Sequence, residues 1–190
     1  MTLAQTDEQL TTEWDRLRQL PSEYGLLGCL TREHALKEAA FRRTLGFALA
    51  MLIAQSLLGT TVNLFVKIPG DHPGANPPEY FGGVATSVSW AILNGGLWLT
   101  LHAALGLVLV LAAVGTLVQA IRLGGAGRIT LAALGFVGVL GAGFNGGSFL
   151  NYHEDFSSML MAVGFSLALA AYVALLYSTP APSTARAGGG

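Results

Sequence analysis

Charge is scarce in this chain. Asp, Glu, Lys and Arg make up 11% of its 190 residues, where a soluble domain carries roughly 25%. With 52% of residues hydrophobic, too little polar surface remains to cover a soluble globule. The net charge of −1 leaves no basic footprint, so no nucleic-acid partner is expected. The single cysteine, Cys29, excludes an internal disulfide and reads as an inert residue. A secretory signal peptide is not expected, because the first apolar run starts near Thr44 behind a polar stretch beginning Thr6-Asp7-Glu8. The long apolar runs themselves contain no Asp, Glu, Lys or Arg. That counts against a proton pump, a voltage sensor or a charge-driven transporter, which rely on intramembrane ionisable groups.

What is present is an all-α pattern of four membrane-length runs, an integral membrane four-helix bundle preceded by amphipathic N-terminal helices. Residues 1–43 form the helical N-terminal region. Leu10, Trp14 and Leu17 share one face of a helix over 6–20, which Pro21 ends. Residues 22–30 read as a connector, with Thr31 capping a second helix. Glu33–Lys37 and Glu38–Arg42 pair at i, i+4, and that helix is free to run on into the first span. The transmembrane domain covers 44–177, with spans at about 44–66, 96–121, 129–150 and 156–177. The tail, 178–190, is Pro/Ala/Gly-rich and expected to be disordered.

The run from Val84 to Ile121 is too long for one crossing of a ~30 Å hydrocarbon layer. Asn94-Gly95-Gly96 is its strongest breaker. Residues 86–94 then form an extra interfacial segment, with Trp90 and Trp98 in an aromatic belt; the alternative is one long tilted helix. The loop Gly70–Gly83 holds four Gly and three Pro and shows no helical pattern. Arg122–Arg128 and Asn151–Asp155 read as the two remaining loops.

Orientation follows from the bases. Six Lys/Arg precede the first span, two lie in Arg122–Arg128 and one in the tail; the other two loops hold only Lys67, against Asp71, Glu79, Glu154 and Asp155. The positive-inside rule places both termini in the cytoplasm of a multi-pass plasma-membrane protein. The whole is similar in look to small proteins of the bacterial inner membrane.

Small residues four apart, which let helices approach closely in lipid, mark two packing stripes. One is Ser158, Ala162, Ser166, Ala170 and Ala174; the other is Gly138, Ala142 and Gly146, flanked by Gly143 and Gly147. The same stripes offer a homo-oligomer contact.

Polar exceptions inside the spans are Gln55, Asn63, His102, Gln119 and Asn145. His102, Asn63 and Asn145 lie near the outer ends of their spans, and His72, His153, Asp71 and Glu154 fall in the outer loops. Three readings follow for His102. It is a structural histidine bonded to Asn63, Asn145 or a loop carbonyl. Or it is an axial ligand of haem b, opposite His153 or His72, with Gly106 leaving room for the ring; His102-Ala-Ala-Leu-Gly106 is similar to helix segments of membrane haem proteins. Or the outer histidines and carboxylates bind a divalent metal or a small polar ligand. No catalytic constellation is present, since Ser157 and Ser158 beside His153 lack the geometry of a triad. The functional expectation is a non-enzymatic accessory subunit or small-ligand binder in the lipid bilayer, with the N-terminal helices free to dock a membrane-protein partner. The alternative is a haem- or metal-binding redox protein using His102.

Overall fold

The computed structural model describes residues 26–179. The expected helix over 6–20, and the tail from residue 180 on, lie outside the described residues. Five helices follow in order: α1 (Leu26–Phe65), α2 (Tyr80–Asn94), α3 (Gly96–Leu123), α4 (Ala126–Tyr152) and α5 (Asp155–Ser178). No strand occurs among the described residues. α1, α3, α4 and α5 are each long and apolar enough to cross a membrane, which makes the chain an all-α bundle and, by length and composition, a multi-pass membrane protein. Their outward faces are apolar: Leu57, Leu111, Val137 and Val163 are all more than half exposed. So continuous an apolar exterior suits lipid, not water.

The chain divides into two compact units at Ala39/Ala40. Of the first unit, Leu26–Ala39 is described; it is helical, and Glu33 pairs with Lys37 at 2.7 Å. Helix therefore occupies Leu26–Leu30, where a connector is expected from sequence, and Thr31 sits inside a helix instead of capping one. The rest of the described chain belongs to the second unit.

Breaks between helices are shorter than composition implies. Only Gly124-Gly125 separates α3 from α4, and only His153-Glu154 separates α4 from α5. Both turns use the left-handed region, at φ 76° and 92° for the glycines and 56° for His153. α2 is a separate helix, as the Asn94-Gly95-Gly96 breaker implies, and Gly96 turns at φ 72°. It starts earlier than the Gly/Pro-rich composition suggests. Glu79 is the reason: its carboxylate accepts from Phe81 N at 2.8 Å and Gly82 N at 2.5 Å, meeting two of the amides a helix start leaves open. α5 continues to Ser178, and buried Thr179 donates from Oγ1 to Leu175 O at 2.8 Å. Arg42 Nη1 donates to Leu176 O at 3.1 Å and to Thr179 O, placing a cation on the carbonyl end of α5.

The closest helix contact is between α4 and α5. A Cβ on Gly138 would lie 2.7 Å from Gly164 O and Ala168 N, and one on Gly164 would lie 2.8 Å from Gly138 O and Ala142 N. The two backbones therefore touch, as small-residue packing in membranes allows. One step along, an edge of the Tyr172 ring occupies the space a side chain on Gly135 would need. The expected α5 stripe is overturned. Ala162, Ser166, Ala170 and Ala174 are exposed, and the packed face carries Ser157, Gly164, Ala168, Ala171 and Leu175. Composition could not separate these faces, because α5 has small residues on both.

The buried apolar side chains form two clusters. The larger joins Phe41, Leu45 and Leu52 of α1 to Leu109 and Ala113 of α3, Val139 of α4, and Tyr172 and Leu175 of α5. The smaller joins Val62, Ala91, Leu99 and Leu150 near the α2 end of the bundle. Polar clasps join α1 to α3. Gln119 Nε2 donates to Thr44 Oγ1 at 3.0 Å, a contact that contributes on the order of 0.6–1.7 kcal/mol between membrane helices.

Gly138→Leu and Gly164→Leu are expected to lower stability by about 1–3 kcal/mol or more, the range for overpacking a tight contact. Ser166→Leu is expected to leave the thermal midpoint in detergent unchanged. The opposite ranking of midpoints would reject the α4–α5 contact as the principal one.

Candidate functional site: an intramembrane cavity under a polar cap

α2 and the loop before it close one end of the bundle through a single buried residue, Asn151. Its side chain is fully buried at the last turn of α4. In the amide orientation that pairs donors with acceptors, Nδ2 lies 2.7 Å from Ser87 Oγ and 3.2 Å from both Gly83 O and Gly74 O, three acceptors sharing its two N–H groups, and Oδ1 accepts from Val84 N at 3.2 Å. Its backbone carbonyl accepts from Asn76 N at 2.8 Å. One side chain thus ties α4, α2 and the loop together. Glycine is required around it: Gly74 sits at φ 93° against Ser87, and Gly83 leaves space for Pro77 and Asn151.

His72 belongs to the same cap. It is buried, its ring stacks on Trp90 with centroids 4.3 Å apart, Nε2 lies 3.0 Å from Leu150 O and Nδ1 lies 2.9 Å from Pro73 O. Both edges and one face of this imidazole are occupied, which suits a structural role. Trp90, half-buried, thus packs one face of its ring on the cap. Of the other outer groups, His153 is exposed at the α4–α5 turn, its ring 5.9 Å from that of His72. Asp71 and Glu154 are exposed. Asn145 donates to Gly141 O of its own helix at 2.8 Å. These residues do not converge: among the described residues no group of three or more His, Cys, Asp or Glu is placed to hold a metal ion.

Below the cap lies a cavity of about 420 Å³, within the ~300–1,000 Å³ range of small-molecule sites. α1, α3, α4 and α5 all contribute to its wall. Its lining is mostly apolar, including Val62, Leu99, Val139, Met161 and Phe165, with Asn63 on the exposed face of α1. Gly143 and Gly146 keep the α4 wall bare; a Cβ on Gly143 meets nothing within 4 Å. No lining residue carries a formal charge, and His102 is the only histidine among them. A haem needing an imidazole on each side finds no second one here, since His72 and His153 do not line the cavity.

His102 is held by Gln55, not by Asn63, Asn145 or a loop carbonyl. Gln55 Nε2 donates to His102 O at 3.1 Å and lies 3.4 Å from His102 Nε2. The backbone carbonyl orients the amide, because the reverse orientation would set two acceptors face to face. The second Gln55 N–H faces His102 Nε2, a contact that is a hydrogen bond in the tautomer with the ring proton on Nδ1. The Cε1–Nδ1 edge passes over Gly59, where a Cβ would come within 2.9 Å of Cε1. Two polar atoms remain buried without a partner: His102 Nδ1 and Gln55 Oε1. Leaving such groups unmet costs about 1–3 kcal/mol each, and both residues line the cavity.

Sequence reasoning found His102 and listed Gln55, but gave Gln55 no role. It missed Asn151 and Ser87, which look like loop and interface residues until the cap is assembled. The one available signal was that Asn151 directly follows an unbroken apolar run. No family model matches the chain, and no curated protein or solved structure matches it.

Asn151→Leu is expected to strand several polar groups of the cap and to cost about 1–3 kcal/mol for each one left buried. Ser87→Ala is expected to cost less. The double variant should fall short of the sum, since the two residues share one network. Additive losses in thermal unfolding would show that they act independently.

Proposed function

We propose that this chain is a non-enzymatic protein of the cell membrane that binds one small lipophilic molecule in the cavity between its four long helices. The observation that carries this reading is the cavity itself: apolar walls, no formal charge, and a histidine and a glutamine in contact with each other among the lining residues. Binding sites combine a largely apolar surface with a few polar groups in this way. The walls match hydrocarbon, so the ligand class is one that dissolves in the bilayer.

In this reading both termini face the cytoplasm. Arg122 and Arg128 bracket the α3–α4 turn, and Arg42 and Arg43 lie at the same end of the bundle as that turn and the α5 carboxyl end. Asp71, Glu79, Glu154 and Asp155 gather at the capped end with Lys67 as its only base. The positive-inside rule sets the capped end outside. A reporter fused after Gly190 is expected to be active in the cytoplasm, and activity on the other side would reverse the assignment.

The binding reading is tested with para-nonylphenol as the probe. One molecule per chain is expected by native mass spectrometry after release from detergent. Gly143→Leu fills open space in the wall, so it is expected to reduce occupancy at least tenfold with an unchanged thermal midpoint. No binding to the native chain, or equal binding to Gly143→Leu, would remove the reading.

A further inference from the structure

We infer that a shallow groove between α1 and α3, at the end of the bundle away from the cap, holds one anionic phospholipid, its phosphate on Arg43 and an acyl chain along the groove. The groove has a volume of about 430 Å³ and shares no lining residue with the cavity. Exposed Arg43 supplies its one formal charge. Ala112 and Gly115 leave its floor bare, and a Cβ on Gly115 meets nothing within 4 Å. Phe47, Val108 and Leu111 form apolar walls, all three exposed. The Thr44–Gln119 and Gln55–His102 contacts show that α1 and α3 run antiparallel. Arg43 and Arg122 therefore both fall on the α3–α4 turn side of the Thr44–Gln119 bond. From Gln119 to Val108 the groove wall rises about 16 Å along α3 at 1.5 Å per residue. That is the depth of one leaflet, half of the ~30 Å hydrocarbon layer.

The cations at this end divide into two kinds. Arg42 is committed to the carbonyl end of α5. Arg128 donates to Gly124 O at 3.4 Å and lies over the Phe41 ring at 5.8 Å. Arg43 and Arg122 are exposed and have no hydrogen bond or ion pair among the described residues. The carboxylates of residues 40–179 are Asp71, Glu79, Glu154 and Asp155, all at the capped end. An anion for Arg43 therefore comes from outside these helices. The span of a second copy would bring apolar surface but no carboxylate to this height. A free phosphate would meet the charge and leave the apolar groove empty. An anionic phospholipid meets both, because an arginine lays its stem on apolar surface and keeps its guanidinium at the level of the headgroups. Basic pockets between membrane helices hold such headgroups in this way.

The test compares two lipids with identical chains on the full-length protein, dioleoylphosphatidylglycerol and dioleoylphosphatidylcholine. Retention is read by native mass spectrometry at fixed lipid-to-detergent ratios. One phosphatidylglycerol is expected to be retained, with affinity above that of phosphatidylcholine by about fivefold for each arginine that meets the headgroup. Arg43→Gln is expected to lower phosphatidylglycerol affinity about fivefold and leave phosphatidylcholine unchanged. Adding Arg122→Gln should remove the remaining preference, while Lys67→Gln at the capped end should alter nothing. Gly115→Leu fills the floor of the groove, so it is expected to abolish retention with an unchanged thermal midpoint in lipid-free detergent. Glycerol 1-phosphate at millimolar concentration is expected not to displace the lipid. Equal retention of the two lipids, or an Arg43→Gln variant that holds phosphatidylglycerol as the native chain does, would overturn the site. A preference that survives Gly115→Leu would reduce it to attraction between charges without a groove, and displacement by glycerol 1-phosphate would reduce it to a phosphate site. Dimers free of phosphatidylglycerol would assign the groove to a second copy and overturn it as well.

Discussion

The backbone contact between α4 and α5 organises the bundle. In hydrocarbon, apolar side chains gain nothing by leaving lipid for one another, so helices associate where shape and polar bonds favour contact. At Gly138, Gly164 and Ala168 the two helices are close enough that a single added methyl group meets backbone. Antiparallel neighbours joined by the two residues His153 and Glu154 form a rigid pair. The remaining elements are positioned on that pair, and Tyr172 stands over Gly135 as the largest side chain of its core.

The glycines of α4 serve two different ends. Gly135 and Gly138 admit α5. Gly147, one helical face away, admits Val84 of α2, while Gly143 and Gly146 wall the cavity. A helix poor in side chains on several faces can pack closely on one neighbour and leave a void beside another. The void persists because α1 is held to α3 by polar clasps at Thr44–Gln119 and Gln55–His102 and because the cap built on Asn151 closes the end above it. Of these polar residues, Gln55 and His102 line the cavity itself.

Much of this was legible in the chain. Four membrane-length helices followed from runs free of charge, and a break at Asn94-Gly95-Gly96 followed from backbone chemistry that few residues tolerate. His102 stood out because an ionisable side chain in a span is rare. Its partner was not legible. Gln55 lies 47 residues away on α1, and several amides were equally plausible from their heights in the membrane. The α5 stripe misled for a related reason. Spacing by four identifies a helix face but not its neighbour, and α5 carries small residues around most of its circumference.

The sequence by itself determined the class of the molecule: helices, their number, and their apolar exteriors. These properties depend on local composition, because every span must satisfy its own backbone hydrogen bonds and match the thickness of the bilayer. Tertiary structure alone decided which glycines are contacts and which are walls, which amide orients His102, and that Asn151 governs the cap. Those are properties of distance between residues far apart in the chain. In an interior where a donor left without its acceptor has no water to turn to, such distances settle stability.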